Sequence, residues 1–333
     1  MNIGNAILAG DTGGTKTLLA LYEAQDGQRK EIKKAHFNSR DYECLEDIIE
    51  AFLAGETGRP TAAAFGIPGP VVDGVVRSTN LPWVIEEKTL SKYLQIPHVK
   101  LVNDLAATAH ALPSLTADEL VTIKKGETPS HPERYVVLAP GTGLGQSFLM
   151  RHRGKSIVIA SEGGHTDFAP ANEVEAELYL YLYRKFGHVS YERTISGSGL
   201  PNIFDFLVDI KNAKPSKATL EQMQTQDKAA VISAMALDAQ DAVCEEALHI
   251  FVSILGTKAG NLALNFLSDG GVYLGGGIPY KILPKLSDGA FVRSFLNKGR
   301  MQWVLDGIPV HVITNNQAAL KGAAQIAFEI NHP

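Results

Sequence analysis

Cysteine is close to absent. Cys44 and Cys244 are the two in 333 residues, far apart, and neither has a His or Cys at metal-ligand spacing. A disulfide framework and a zinc site are disfavoured, and free, reduced thiols are the plain reading. Long basic clusters are missing too. The largest is a short one over residues 29–34, against a net charge of -5. Nucleic acid and anionic membrane are therefore not expected partners. No apolar stretch approaches the roughly 20 residues that span a bilayer, so no membrane helix is expected. The opening Met1-Asn2-Ile3-Gly4-Asn5 lacks the basic flank and apolar run of a signal peptide. The closing Asn331-His332-Pro333 is not a peroxisomal or retention address. A cytoplasmic location is the resulting expectation.

What is present suits a sizeable core. Hydrophobic residues make up 45% and charged residues 20% of a chain long enough for two lobes. Residues 6–9 form an apolar run that ends in a Gly-rich turn over 10–15, and residues 17–22 are apolar and β-prone again. The pattern predicts strand, loop, strand. A third strand follows residue 29, a helix covers 44–53, and a strand over 61–66 runs into Pro68-Gly69-Pro70. A strand over 98–102 precedes a helix over about 105–112.

The second half repeats the opening, with a strand over 135–139, a turn over 140–145 and a strand over 147–151. Leu8-Ala9 matches Leu138-Ala139, Thr12-Gly13 matches Thr142-Gly143, and Leu19 matches Leu149. An internal duplication is expected. Residues 172–266 read as mostly helical, with a polar surface segment over 211–228 and one long buried helix, or a broken pair, over 239–266. A strand over 271–274 opens onto Gly275-Gly276-Gly277, and a strand over 309–313 and an amphipathic helix over 317–329 close the chain. The expected architecture is α/β, with a small lobe of residues 1–113 plus 314–333 and a large lobe of 114–313 that carries the helical insertion.

The Gly-rich turns are candidate phosphate sites. Gly10-Asp11-Thr12-Gly13-Gly14-Thr15-Lys16-Thr17 fails as a P-loop, because Thr15 rather than Gly precedes Lys16 and β-prone residues follow. A hairpin whose backbone N–H groups point at a phosphate fits better, with Asp11 near a hydrated Mg2+ and Thr15 or Lys16 near a phosphate oxygen. A plain tight hairpin with Asp11 in an Asx turn is the alternative. Gly141-Thr142-Gly143-Leu144-Gly145 is GxGxG between two strands, so the dinucleotide fingerprint is not met. Two such hairpins facing each other across a cleft would suit a nucleoside triphosphate. Gly275-Gly276-Gly277 would admit an adenine or ribose to the backbone, or serve close helix–strand packing.

Two polar constellations remain. Asn103-Asp104 sits where a strand gives way to a helix, a place where both residue types cap helices. Glu162-Gly163-Gly164-His165 has Glu-x-x-His spacing, but its glycines argue for a loop over a helix. In a loop both side chains can turn toward one small ligand rich in hydroxyls.

The three glycine loops, in this order and spacing, resemble those of the sugar kinase, heat-shock 70 and actin superfamily. Within it the chain is similar to the bacterial-type glucokinase family through residues 8–17, 102–109, 138–149, 161–170, 191–199 and 272–284. The resemblance implies a two-lobed ribonuclease H-like (actin/hexokinase) fold with an active-site cleft between lobes, ATP with Mg2+, glucose as acceptor, and a homodimer. It implies Asp104 as the base that takes the proton of the 6-hydroxyl, with Asn103 on another hydroxyl. Glu162, His165 and Glu192 would bind further glucose hydroxyls, and Asn80 would also reach the sugar. Gly10, Asp11, Thr12, Gly13, Gly14, Thr15, Gly141, Thr142, Gly143, Gly275, Gly276 and Gly277 would hold the nucleotide, with Asp11 meeting Mg2+ through water. An ordinary Asp is ionised at pH 7, so Asp104 is expected to need no shift to accept a proton. The related repressor/open-reading-frame/kinase family has a Cys-rich zinc motif after its sugar-binding His, and none follows His165. The alternatives are a kinase for mannose, fructose or an amino sugar, a non-catalytic sugar sensor, an actin-like ATPase, and ADP or polyphosphate as donor.

Overall fold

Side chains alternate along a strand, and that alternation organises the first half of the chain. The computed structural model describes residues 1–25, 28–78, 81–127, 129–153 and 155–331. They fall into two units, one of Met1–Thr116, Val158–Ala160 and Asn315–Pro333, the other of Ala117–Ile157 and Ser161–Thr314.

In the first unit, β1 (Ala6–Thr12) pairs antiparallel with β2 (Lys16–Gln25), and β2 antiparallel with β3 (Gln28–Asn38). On its other edge β1 pairs parallel with β4 (Ala62–Ile67). A small two-stranded sheet of β5 (Val75–Arg77) and β6 (Val84–Glu86) follows, and β7 (His98–Asn103) completes the main sheet in the order β3-β2-β1-β4-β7. Leu8, Leu19 and Leu21 share an apolar cluster with Ile48, Ile49 and Phe52 of the helix Leu45–Leu53. Ile7, Ala9, Leu18 and Ala20 share the other with Leu320, Ala323, Ala324 and Ala327 of the closing helix Ala318–Asn331. Small residues bring that helix close to its neighbour. A side chain at Gly322 would lie 1.7 Å from the carbonyl oxygen of Ala107 in the helix Asp104–Ala111.

β1 continues through Gly10, Asp11 and Thr12, which the sequence reading assigned to the turn. Asp11 pairs with Leu18 and Thr12 with Thr17, so the ladder extends and the turn shrinks to residues 13–15.

The second sheet is made of β8 (Leu120–Lys124), β9 (Arg134–Pro140), β10 (Leu144–His152), β11 (Lys155–Ser161), β12 (Val272–Leu274) and β13 (Val310–Ile313), in the order β11-β10-β9-β12-β13-β8. β9 and β10 are antiparallel, while β9, β12 and β13 run parallel. This repeats the first sheet: an antiparallel hairpin, extended beside its first strand by two parallel strands. The duplication expected from a few matched residues is present as topology.

The helical stretch has one axis, the unbroken helix Ala242–Phe266, which ends at Leu267 with φ 49. By length and a mean hydropathy of 1.3 this helix could cross a bilayer, contrary to the expectation that no such stretch exists. Its apolar residues have another use: 78% of the stretch is buried in the protein, where Leu248, Phe251 and Leu255 join the main core. The polar segment over 211–228, read as surface, contains the helix Lys217–Met223, whose buried Thr219 donates to Asp241 at 2.7 Å.

Candidate active site

In the first unit the candidate residues lie at the C-terminal ends of β1 and β7. Asn103 caps the helix Asp104–Ala111: its Oδ1 accepts from the N–H groups of Leu105 (3.0 Å) and Ala106 (3.2 Å). Its Nδ2 donates to the Gly69 carbonyl at 3.2 Å. The cap thus occupies the acceptor end of a side chain that the resemblance assigns to a ligand. Asp104 opens the helix and accepts from the Leu105 N–H at 2.8 Å. Burial raises its pKa above the ordinary value, opposed by those N–H bonds and by Asn103. The sequence reading needed no such shift for Asp104 to accept a proton, and the shift adds to its basicity.

Asp11 is pushed up to about 6, first by burial and then by the charge of Asp104. Among the described residues it forms no salt bridge. Thr12 is buried, and its hydroxyl has no hydrogen-bond partner among the described residues. A desolvated carboxylate at the end of β1 with no ion-pair partner among the described residues fits a hydrated cation. Mg2+ is commonly held in this way, by one or two carboxylates plus its substrate's phosphates. The described residues hold no cluster of three or more metal-binding side chains, so they offer a cation no closed cage.

The glycines of the first loop divide by role. A side chain at Gly10 would lie 2.4 Å from the Phe65 ring, so Gly10 serves packing. The Gly13 N–H is spent on the Lys16 carbonyl at 2.9 Å, and Ser39 Oγ donates to the Gly13 carbonyl at 2.8 Å. Gly14 is half-buried and Thr15 is exposed.

In the second unit the structure brings three of the sugar candidates together. Glu162 precedes a single 3-10 turn, Gly163–His165, closed by the His165 N–H on the Glu162 carbonyl at 3.0 Å. A turn of 3-10 helix thus replaces the expected open loop. The two glycines let it press onto β10: a side chain at Gly163 would meet Gln146 at 1.8 Å, and one at Gly164 the Leu144 carbonyl at 2.0 Å. A second 3-10 turn, Tyr191–Arg193, is joined to the first segment by the Tyr191 N–H on the Thr166 carbonyl (3.0 Å) and the Phe168 N–H on the Val189 carbonyl (2.8 Å). This places Glu192 Oε1 3.8 Å from His165 Nδ1. Glu192 Oε2 accepts from the Leu144 N–H at 2.9 Å, and a side chain at Gly143 would collide with it at 2.5 Å. Asn80 lies outside the described residues.

Gly141 and Thr142 line a cavity of about 1020 Å³, together with Gly277 at the start of the helix Gly277–Lys281. Gly276 has φ 80, and a side chain there would come 2.7 Å from the Pro140 carbonyl, so only glycine suits the position. Gly275 is buried in packing distance of Val137, Ala139 and Ile313 and is away from the cavity lining. The sequence reading missed other lining residues of this cavity, among them Ser196, Ser198, Asp227 and Lys281. The Ser196-Gly197-Ser198-Gly199 run was a usable signal; Asp227, the N-cap of the helix Lys228–Leu237, offered none.

Comparison with known proteins gives a consistent picture. Residues 8–330 match the family model described as Glucokinase. A Nostoc punctiforme protein named Glucokinase is 40% identical over 340 residues, which cover 97% of this chain and 99% of that protein. The crystal structure of a glucokinase from an Antarctic psychrotroph has a TM-score of 0.88 at 30% identity, covering 98% of this chain and 99% of that one. A ROK family glucokinase from Streptomyces griseus, in complex with glucose and AMPPNP, shares the fold, with a TM-score of 0.61 at 20% identity over 97% and 99% of the two chains.

Proposed function

The chain belongs to the glucokinase family, and from that premise we propose that it transfers the γ-phosphoryl group of ATP to the 6-hydroxyl of D-glucose, giving glucose 6-phosphate and ADP. The fold is the two-lobed ribonuclease H-like fold of sugar kinases. One observation carries the reading: Gly143, in the hairpin that lines the large cavity, has no side chain, and Glu192 uses that space to bind the Leu144 N–H. A nucleotide cavity and a carboxylate suited to sugar hydroxyls are thereby joined through one hairpin.

Glu162, His165 and Glu192 accept and donate hydrogen bonds to the sugar hydroxyls. Asp104 takes the 6-hydroxyl proton as that oxygen attacks the γ-phosphorus in line, and its raised pKa makes it a better proton acceptor than an ordinary Asp. Asn103 holds the first turn of the helix and so the position of Asp104. The Gly141-Thr142 hairpin and Gly277 accommodate the nucleotide, and Asp11 is the carboxylate that the family resemblance assigns to its phosphates and metal. Bound Mg2+ supplies charge neutralisation at those phosphates, and Asp11 is the residue that would hold it through water. The reading extends to a cytoplasmic homodimer on the family resemblance, with sedimentation equilibrium as the readout for the dimer.

The product identifies the reaction. With MgATP and glucose, phosphorus and carbon NMR are expected to find the new ester at C6. An ester at C1, or inorganic phosphate in place of a sugar phosphate, would overturn the assignment.

A further inference from the structure

Lys258 lies inside the helix Ala242–Phe266, where nothing in the sequence marks it for function. It is 5% exposed. Its Nζ donates to the Gly163 carbonyl and to Thr166 Oγ1, each at 3.2 Å, and sits 4.4 Å from the centre of the Tyr191 ring. No salt bridge to it forms among the described residues. Burial lowers its pKa to about 8, so at pH 7 it keeps its charge with carbonyl, hydroxyl and ring as partners. Removing an ammonium from water is costly, and these contacts must offset that cost.

The partners of Lys258 belong to the two segments that carry Glu162, His165 and Glu192. Thr166 Oγ1 also donates to the Gly163 carbonyl at 2.8 Å, so lysine and threonine meet on one acceptor. Asn261, from the same helix, donates to Tyr191 Oη at 3.2 Å. On the strand side of the turn, Gln146 Nε2 donates to Ser161 Oγ at 2.9 Å while its side chain fills the space a Gly163 side chain would need. The Gly163–His165 turn is therefore held by β10 and by the helix.

We propose that Lys258 is a positioning residue for sugar recognition: it fixes the backbone of residues 163–166 against the Tyr191–Arg193 turn and so sets the geometry of Glu162, His165 and Glu192. It touches no substrate. The inference rests on the reading that those three side chains bind the sugar. An array of hydroxyls is recognised through several hydrogen bonds at once, so a small shift of the turn weakens all of them together.

The test is the ratio of Michaelis constants in the full-length enzyme, with melting curves to establish folding. Lys258→Met preserves the stem and removes the donors. It is expected to raise the KM for glucose about tenfold, as the sugar's hydrogen bonds weaken together, while the KM for ATP stays within about twofold. Thr166→Val, which leaves the charge in place, is expected to move the same ratio less. Lys258→Arg is expected to fall between wild type and Lys258→Met. A folded Lys258→Met enzyme with wild-type glucose KM, or with both KM values raised alike, would overturn the inference. If Lys258→Met does not fold, Thr166→Val decides by the same ratio. Glu162→Gln separates the two levels. If it raises the glucose KM and Lys258→Met does not, the positioning role alone fails. If Glu162→Gln leaves the glucose KM unchanged, the sugar-site reading fails and the positioning role with it.

Discussion

Asp11 is held at a cost. Its pKa in the folded chain, about 6, lies above the ordinary 3.8. The folded state therefore binds its proton more tightly than the unfolded state, and stability falls as pH rises through that window. Below about pH 4 the cost is absent; above about pH 6 it is complete. Metal-free Asp11→Asn is accordingly expected to be more stable than wild type at pH 8, by on the order of 2–3 kcal/mol, with the difference vanishing near pH 4. Chemical denaturation at the two pH values checks it, and equal stability at both would contradict the electrostatic account. The raised pKa of Asp11 predicts that kcat/KM falls below about pH 6, as its carboxylate takes up a proton. A pH–rate profile reads this directly. The family resemblance made the roles of Asp104 and Glu162 legible; residue identity alone left Asn103-Asp104 as a helix cap and Glu162-Gly163-Gly164-His165 as a loop able to face a hydroxyl-rich ligand. It did not reveal the raised pKa of Asp104, which comes from burial by distant residues. Nor did it reveal Lys258, whose acceptor on Gly163 lies 95 positions away.

Elements position these residues through close backbone approaches. The helix Asp104–Ala111 is pinned where Gly322 of the closing helix meets the Ala107 carbonyl. Gly322→Ala is expected to destabilise the protein by about 1–3 kcal/mol through overpacking and to lower kcat roughly tenfold by displacing Asp104. Melting curves and initial rates measure the two effects, and an unchanged kcat in a destabilised enzyme would uncouple the contact from the base. Apolar alternation made β1 and β2 readable, yet the extension of β1 through Asp11 and Thr12 was hidden. Ladder pairing with Thr17 and Leu18 outweighed the turn-forming tendency of Gly10-Asp11. The long helix was readable as buried. Its capacity to span a membrane, by length and hydropathy, escaped notice because Glu245, Glu246 and Lys258 interrupt the apolar pattern.

At the scale of the molecule, both sheets extend an antiparallel hairpin with a glycine turn by two parallel strands, and the second adds the antiparallel β8. The duplication was legible from Leu8-Ala9 and Leu138-Ala139, since the hairpin needs small or apolar residues at matched places. The wall of the large cavity was less so, because Asp227 and Lys281 come from separate helices and share no sequence pattern. The proposed reaction couples ATP cleavage to glucose through Asp104. Coupled ADP release from the purified enzyme with MgATP, on glucose, mannose, fructose, N-acetylglucosamine and no sugar, tests it most directly when Asp104→Asn is run beside wild type. The account predicts strong glucose-dependent release that Asp104→Asn lowers about a hundredfold or more while glucose binding persists. ADP release independent of sugar, or near-normal turnover in Asp104→Asn, would contradict it.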